Sequence, residues 1–226
     1  MPFRFHRPAR TSAARATAAY ALAALLALAA STAAAPAGAS ALQLNEFLAG
    51  PARDWDGSGA ISTRDDEWVE VKNTTAAALD LTGWIVTDGD SIPRYGLSGT
   101  LDPGGRLLIT GKMSFDWEKL NSQPAFGLSL GNSGDAVILW HVEGADTVVV
   151  DAYTYKSHEA AADRSVGRLD DTGAWSLFDG LDPYTGSTLP TGTGCNPSPA
   201  LANTCGSTPT RHDSWGALKR LYRPRR

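Results

Sequence analysis

The chain is poor in the residues that do chemistry. Four histidines and two cysteines are spread over 226 residues, and one of the histidines, His6, lies in the N-terminal leader. There is no nucleophile elbow, no H-E-x-x-H pair, no phosphate loop and no cysteine–histidine arrangement, which removes the common nucleophilic, metallohydrolase and nucleotide-binding classes. His141 ends the apolar run DAVILWH and reads as a strand-end surface residue. Paired acids such as Asp88 with Asp90, or Asp170 with Asp171, have the composition of a glycosidase couple. They stand in turns of an acid-rich chain, where capping accounts for them. The expectation is a protein that is not an enzyme, with no catalytic residue.

Positive charge is scarce as well. From Ser40 to Pro209 there are ten Lys and Arg against twenty-three Asp and Glu. Such a body does not bind nucleic acid, which requires a positive surface to displace counterions. The balance reverses between Thr210 and Arg226, with six basic residues and one acidic. Residues 210–226, ending SWGALKRLYRPRR, are read as a basic C-terminal tail. Either it is a sorting signal or an anchor for an anionic surface, with Trp215, Leu218 and Tyr222 on one helical face, or it is a solvated tail.

Long apolar runs are missing except at the start. Arg4, Arg7, Arg10 and Arg15 precede the run Tyr20–Ala30, and small residues follow, with an A-x-A site at Ala37-Gly38-Ala39. Residues 1–39 therefore read as a secretory signal peptide, with an uncleaved anchor as the alternative. The apolar run is too short to span a bilayer, so the mature chain has no transmembrane segment and belongs outside the cytoplasm or at the envelope surface. Cys195 and Cys205 fit that compartment as a disulfide in a Pro/Gly-rich stretch, closing a loop of about eleven residues worth roughly 2.8 kcal/mol at most.

What is present is β-structure. LQLNEFL alternates, with Leu42, Leu44 and Glu46 on one pleat face and Gln43, Asn45 and Phe47 on the other; in EWVEVKN, Val69 and Val71 oppose Trp68, Glu70 and Lys72. Period-two alternation marks half-buried strands. LDLTGWIVTD, GRLLITG, DAVILWHV, DTVVVDAYTY and SVGRL follow at regular spacing, bounded by Gly, Pro, Asp and Asn. Seven or eight such strands make an all-β, immunoglobulin-like antiparallel sandwich over residues 40–180. KMSFDWEKLN is the one helical patch, with Met113, Trp117 and Leu120 sharing a face and Ser114 as cap. Residues 181–209 form a Gly/Pro/Ser/Thr-rich extension tied by the cysteines.

Between the first two strands the sequence DWDGSGAISTRD has the spacing of a twelve-residue EF-hand-like calcium loop. Asp54, Asp56 and Ser58 occupy loop positions one, three and five, Gly59 the sharp turn, Ala60 the carbonyl position, Ser62 position nine and Asp65 position twelve. A hard cation that takes six to eight oxygens suits this set. Asp65 is one methylene shorter than the usual bidentate Glu, so Asp66 or Glu67 has to help close the sphere. The same residues also favour an ordinary acidic surface turn.

Taken together, LQLNEFLA, DDEWVEVKN, LDLTGWIVTD, LDPGGRLLITG, FGLSLGNSGDAVILW and SVGRLDDTGAW resemble, in order and spacing, the lamin tail domain family. The resemblance covers Leu42 to Trp175. It implies an immunoglobulin-like sandwich of the secreted bacterial kind, with Trp84 as a buried core tryptophan and no substrate attached to the fold. Members of that kind carry an Asp/Asn/Gly loop where Asp54–Asp65 stands here, which strengthens the calcium reading. The expected role is a non-catalytic secreted structural or interaction module with structural Ca2+. Its partner would be an unknown protein or cell-envelope component. The alternative is a calcium-assisted carbohydrate-binding module, suggested by Trp55, Trp68, Trp117, Trp140 and Trp175 beside Trp84. The cysteine assignment is checked by intact mass: the mature protein should weigh two hydrogens less than its reduced form, and two free thiols would reject the bridge.

Overall fold

The structure, a computed structural model, describes residues 40–205 other than Thr172. The expectations for the leader and for residues 206–226, including His212 and the basic tail, lie outside the described residues. Among the described residues eleven strands, one α-helix and a short 3-10 turn follow in order: β1 (Leu42–Leu48), β2 (Trp68–Asn73), β3 (Leu79–Asp80), β4 (Trp84–Thr87), β5 (Pro93–Gly96), β6 (Thr100–Leu101), β7 (Arg106–Thr110), α1 (Gly111–Leu120), β8 (Gly134–Glu143), β9 (Asp146–Lys156), β10 (Ser165–Arg168), the 3-10 turn Leu169–Asp171 and β11 (Trp175–Phe178). One sheet has the order β11-β10-β1-β2-β7, the other β5-β4-β8-β9, and β3 pairs with β6 separately. Every strand pair is antiparallel. The two sheets form an immunoglobulin-like sandwich, as the strand spacing implies.

The core lies between the sheets. Leu42, Leu44, Phe47, Val69, Val71, Ile109, Val166 and Leu177 come from the first sheet, and Trp84, Val86, Val137, Leu139 and Tyr155 from the second. Each fully buried aliphatic or aromatic side chain of this kind contributes about 1.5–3 kcal/mol. Trp84 stacks on His141 with ring centroids 4.3 Å apart, so the strand-end histidine is packed against the core tryptophan rather than free at the surface.

Three expectations about local structure change. In β1 a bulge falls between Leu44 and Glu46: Leu44 pairs with Val71, Glu46 with Glu70 and Phe47 with Val69. The extra residue, Asn45, reverses the alternation beyond it, so Phe47 enters the core and Glu46 faces outward beside Glu70. The stretch LDLTGWIVTD is not one strand; Gly83, at φ 85°, turns the chain between β3 and β4. The helix begins at Gly111 and is capped not by Ser114 but by Thr110, whose hydroxyl accepts from Met113 N. Its buried face is Gly111, Ser114 and Glu118, while Leu120 is 85% exposed and Met113 37%. The buried cation Arg94 explains this choice of face. It binds Glu118 at 3.2 Å and Asp88 at 2.8 Å, and its carbonyl accepts from Ser114 Oγ, so polar groups fasten the helix to β5. Asp88 is therefore a buried ion-pair partner, not a solvated turn cap.

The first sheet is buried on both faces. Trp68, Glu70, Glu46 and Leu48 all point away from the core, yet none is more than 1% exposed. Trp68 is covered by Trp55, whose ring meets it edge-on at 6.1 Å, and Glu46 and Glu70 are covered by the segment around Ser198–Asn203. This is why β2 is not the half-buried strand its alternation suggests. Leu139→Ala should lower stability by about 2–5 kcal/mol in urea unfolding, through the cavity it leaves between the sheets. Val149→Ala, on the exposed part of β9, should stay within about 0.5 kcal/mol of the parent.

Candidate metal centre in the loop after the first strand

Two buried carboxylates shape the loop between β1 and β2. Asp163, from the turn before β10, accepts from Ala52 N at 2.9 Å, Arg53 Nε at 3.1 Å and Trp55 Nε1 at 2.9 Å. Asp66, next to β2, accepts from Trp55 N at 2.6 Å and Asp56 N at 2.9 Å on one oxygen, and from Ser62 N at 2.7 Å on the other. A carboxylate with three backbone donors is a strong organiser, because each charge-assisted bond is worth about 1.5–3 kcal/mol. The loop is thus drawn back onto the sheet at both ends.

Inside that frame, Asp54 accepts from Ser58 N at 3.0 Å and Gly59 N at 2.7 Å, and Asp56 from Ser58 N at 2.9 Å. The bond from Ser58 N–H holds the Asp56 carboxyl below its ordinary range. Gly59 has φ 88°, a conformation that a side chain would strain, as the sharp-turn position requires. One oxygen each of Asp54, Asp56 and Asp66 lies within 4.8 Å of the others. Calcium–oxygen bonds of about 2.3–2.6 Å allow two ligands of one ion to stand up to roughly 5 Å apart, so this trio can share a cation. The donor set is all oxygen, which suits a hard ion and not zinc or copper.

The remaining expected ligands are arranged differently. Ser58 Oγ donates to the Ala60 carbonyl at 3.1 Å, and Ser62 Oγ accepts from Asp65 N at 3.1 Å, so both residues serve the loop's own turns. Asp65 is turned toward Arg64, which contacts it at 2.7 and 3.0 Å and holds its carboxyl below the ordinary range. Glu67 is buried on β2's approach and accepts from Leu130 N at 3.1 Å; burial pushes its carboxyl up to about 8. Neither Asp65 nor Glu67 joins the acidic trio; Asp66 does. The reason is a helical turn, Asp66 N to Ser62 O at 3.1 Å, which swings position thirteen back over the loop and position twelve outward.

Further acids, Glu46, Glu70 and Asp171, lie under the C-terminal segment, where Asn45 Nδ2 donates to Glu70 at 2.7 Å and to Asp171 at 3.1 Å. Their signal in the sequence was faint, since the β1 bulge is not visible there. The cysteines are joined, with Cα atoms 5.3 Å apart. None of the six described tryptophans is exposed. Trp55 packs on Trp68, Trp117 on Tyr95 at 6.1 Å, and Trp175 on Tyr153 at 4.5 Å, while Trp140 Nε1 donates to Thr87 Oγ1 at 3.0 Å. Among the described residues, no helix is long and apolar enough to cross a membrane.

A family model described as Lamin Tail Domain matches residues 35–157, more than half of the chain. No curated protein and no solved structure matches it. The matched span includes the whole acidic loop and ends within the turn after β9, before Asp163 and the C-terminal segment.

The two kinds of aspartate separate by substitution. Asp66→Ala leaves three backbone N–H groups without their acceptor and should cost at least about 2 kcal/mol in urea unfolding. Asp54→Ala, on the exposed part of the loop, should barely move the midpoint. Equal costs would mean that the loop is not organised from Asp66.

Proposed function

The chain belongs to the Lamin Tail Domain family, and from that premise we propose that it serves as a secreted, non-catalytic structural and interaction module whose first loop is rigidified by calcium. The observation that carries the calcium part is the convergence of Asp54, Asp56 and Asp66. Asp54 and Asp56 supply charge from the turn, Asp66 supplies a fixed oxygen from the sheet side, and loop carbonyls and water complete an oxygen sphere of the usual size. Secretion is supported by the charged-then-apolar leader and by the disulfide between Cys195 and Cys205. A non-catalytic role is supported by the family. The partner is a protein or an envelope component.

Calcium at such a site acts as a local staple. Extracellular modules bind the ion at about 10⁻⁴–10⁻³ M. At ten times the dissociation constant, linkage stabilises the fold by about 1.4 kcal/mol. No helices flank the loop to swing open, so the ion fixes shape instead of switching it.

Trp55 offers a direct readout, since it stands inside the loop. Terbium added to the protein should luminesce on tryptophan excitation, calcium should quench the signal by competition, and calcium should raise the melting temperature. Asp54→Ala combined with Asp56→Ala should abolish all three effects. An equal calcium-induced rise in the double variant would sink the proposal.

A further inference from the structure

The extension after β11 crosses the outer face of the first sheet as a strap. Its entry is fixed by Thr193 N to Leu177 O at 3.2 Å, Gly194 N to Asp179 Oδ1 at 2.7 Å and Gly180 N to Cys195 O at 2.7 Å. Beyond Gly194, which has φ 72°, the strap is held to the sheet mainly by carboxylates. Glu46 accepts from Ser198 N at 3.0 Å, Ser198 Oγ at 2.8 Å and Ser165 Oγ at 2.5 Å. Glu70 accepts from Ala200 N at 2.6 Å and Asn45 Nδ2 at 2.7 Å. Asp171 accepts from Asn203 N at 3.0 Å. The disulfide closes the strap upon itself and does not fasten it to the sheet.

The charges beneath the strap do not balance. β1 brings Glu46, β2 brings Glu70 and Lys72, β7 brings Arg106, and the turn after β10 brings Asp171. Arg106 and Lys72, the latter at 3.3 Å, both pair with Asp171, and Arg106 Nε stands 3.7 Å from Glu70. β10 contributes Ser165 but no charge on this side, because Arg168 is engaged by Asp151 at 3.0 Å. Residues 195–205 of the strap carry no charge. Three carboxylates therefore face two cations, Glu46 and Glu70 are no more than 1% exposed, and these two are register partners across the β1 bulge. One proton restores neutrality.

We propose that residues 196–205 form a proton-controlled latch, closed over the β1–β2 face while the Glu46–Glu70 pair holds a proton and released when both carboxylates ionise. Release uncovers an acidic strip on the sheet. Burial pushes both carboxyls up from 4.5, Glu70 to about 7. The sign follows from linkage: the closed form binds a proton that the open form gives up, so closure is fully favoured below 4.5 and weakens as pH rises through about 7, where Glu70 ionises. Each proton released changes the closed-to-open ratio by at most about tenfold per pH unit. The latch is independent of the calcium loop.

Amide hydrogen exchange on the full chain tests it. After correction for intrinsic exchange, protection of Ser198, Ala200 and Asn203 should fall at least about tenfold between pH 5 and pH 8, while Val137 and Leu139 in β8 do not follow. Flat protection, or a fall shared with β8, overturns the proposal using the wild-type protein alone. Glu70→Gln and Glu46→Gln should each flatten the strap's profile; a wild-type slope in both folded variants would put the titrating group elsewhere and overturn the latch.

Discussion

Burial of the first sheet on both faces is the constraint on which the rest of the structure depends. An antiparallel sheet can leave one face in water, and its polar residues then need no partners. Here Asn45, Glu46 and Glu70 are on the outer face with no exposure beyond 1%, so each polar group must be answered by protein. The strap answers with Ser198, Ala200 and Asn203, and β7 answers with Arg106. At the other end of the same face, Leu48 and Trp68 need apolar cover, which the loop provides through Trp55. Two irregular segments are thereby as much a part of the fold as the strands.

The acid excess of the body has the same origin. Many of its carboxylates are not surface charges but acceptors that gather backbone N–H groups from loops. Asp66 and Asp163 collect the loop after β1, Asp179 collects Tyr184 and Gly194, and Glu118 collects Phe126 and Gly127. A domain whose described residues hold long connections and little helix solves its orphan-donor problem with fixed anions. Asp54 and Asp56 follow the same rule, since their carboxylates are held by the loop's own amides at Ser58 and Gly59.

Much of the architecture was legible in the sequence because it rests on local rules. Alternation in β2, the turn glycines and the β8–β9 hairpin all follow from residue period and backbone freedom. The acidic turn was legible through Asp54, Asp56 and Gly59, whose hydrogen bonds depend on neighbours within five residues. The choice of Asp66 over Asp65 was not, because one helical turn at Ser62–Asp66 decides which side chain faces inward. Nor was the polar face of α1, since Arg94 lies far from Glu118 in sequence.

By itself the sequence determined the fold class, the family, the position of the acidic loop and the cysteine pair, all of which depend on short-range pattern and spacing. Only the tertiary structure decided which carboxylates are buried and what they hold. The bulge at Asn45 turned Phe47 inward and Glu46 outward, and the strap then closed over Glu46 and Glu70 from more than a hundred residues away. Burial is a property of what comes to lie on top of a residue, and no period along the chain encodes that.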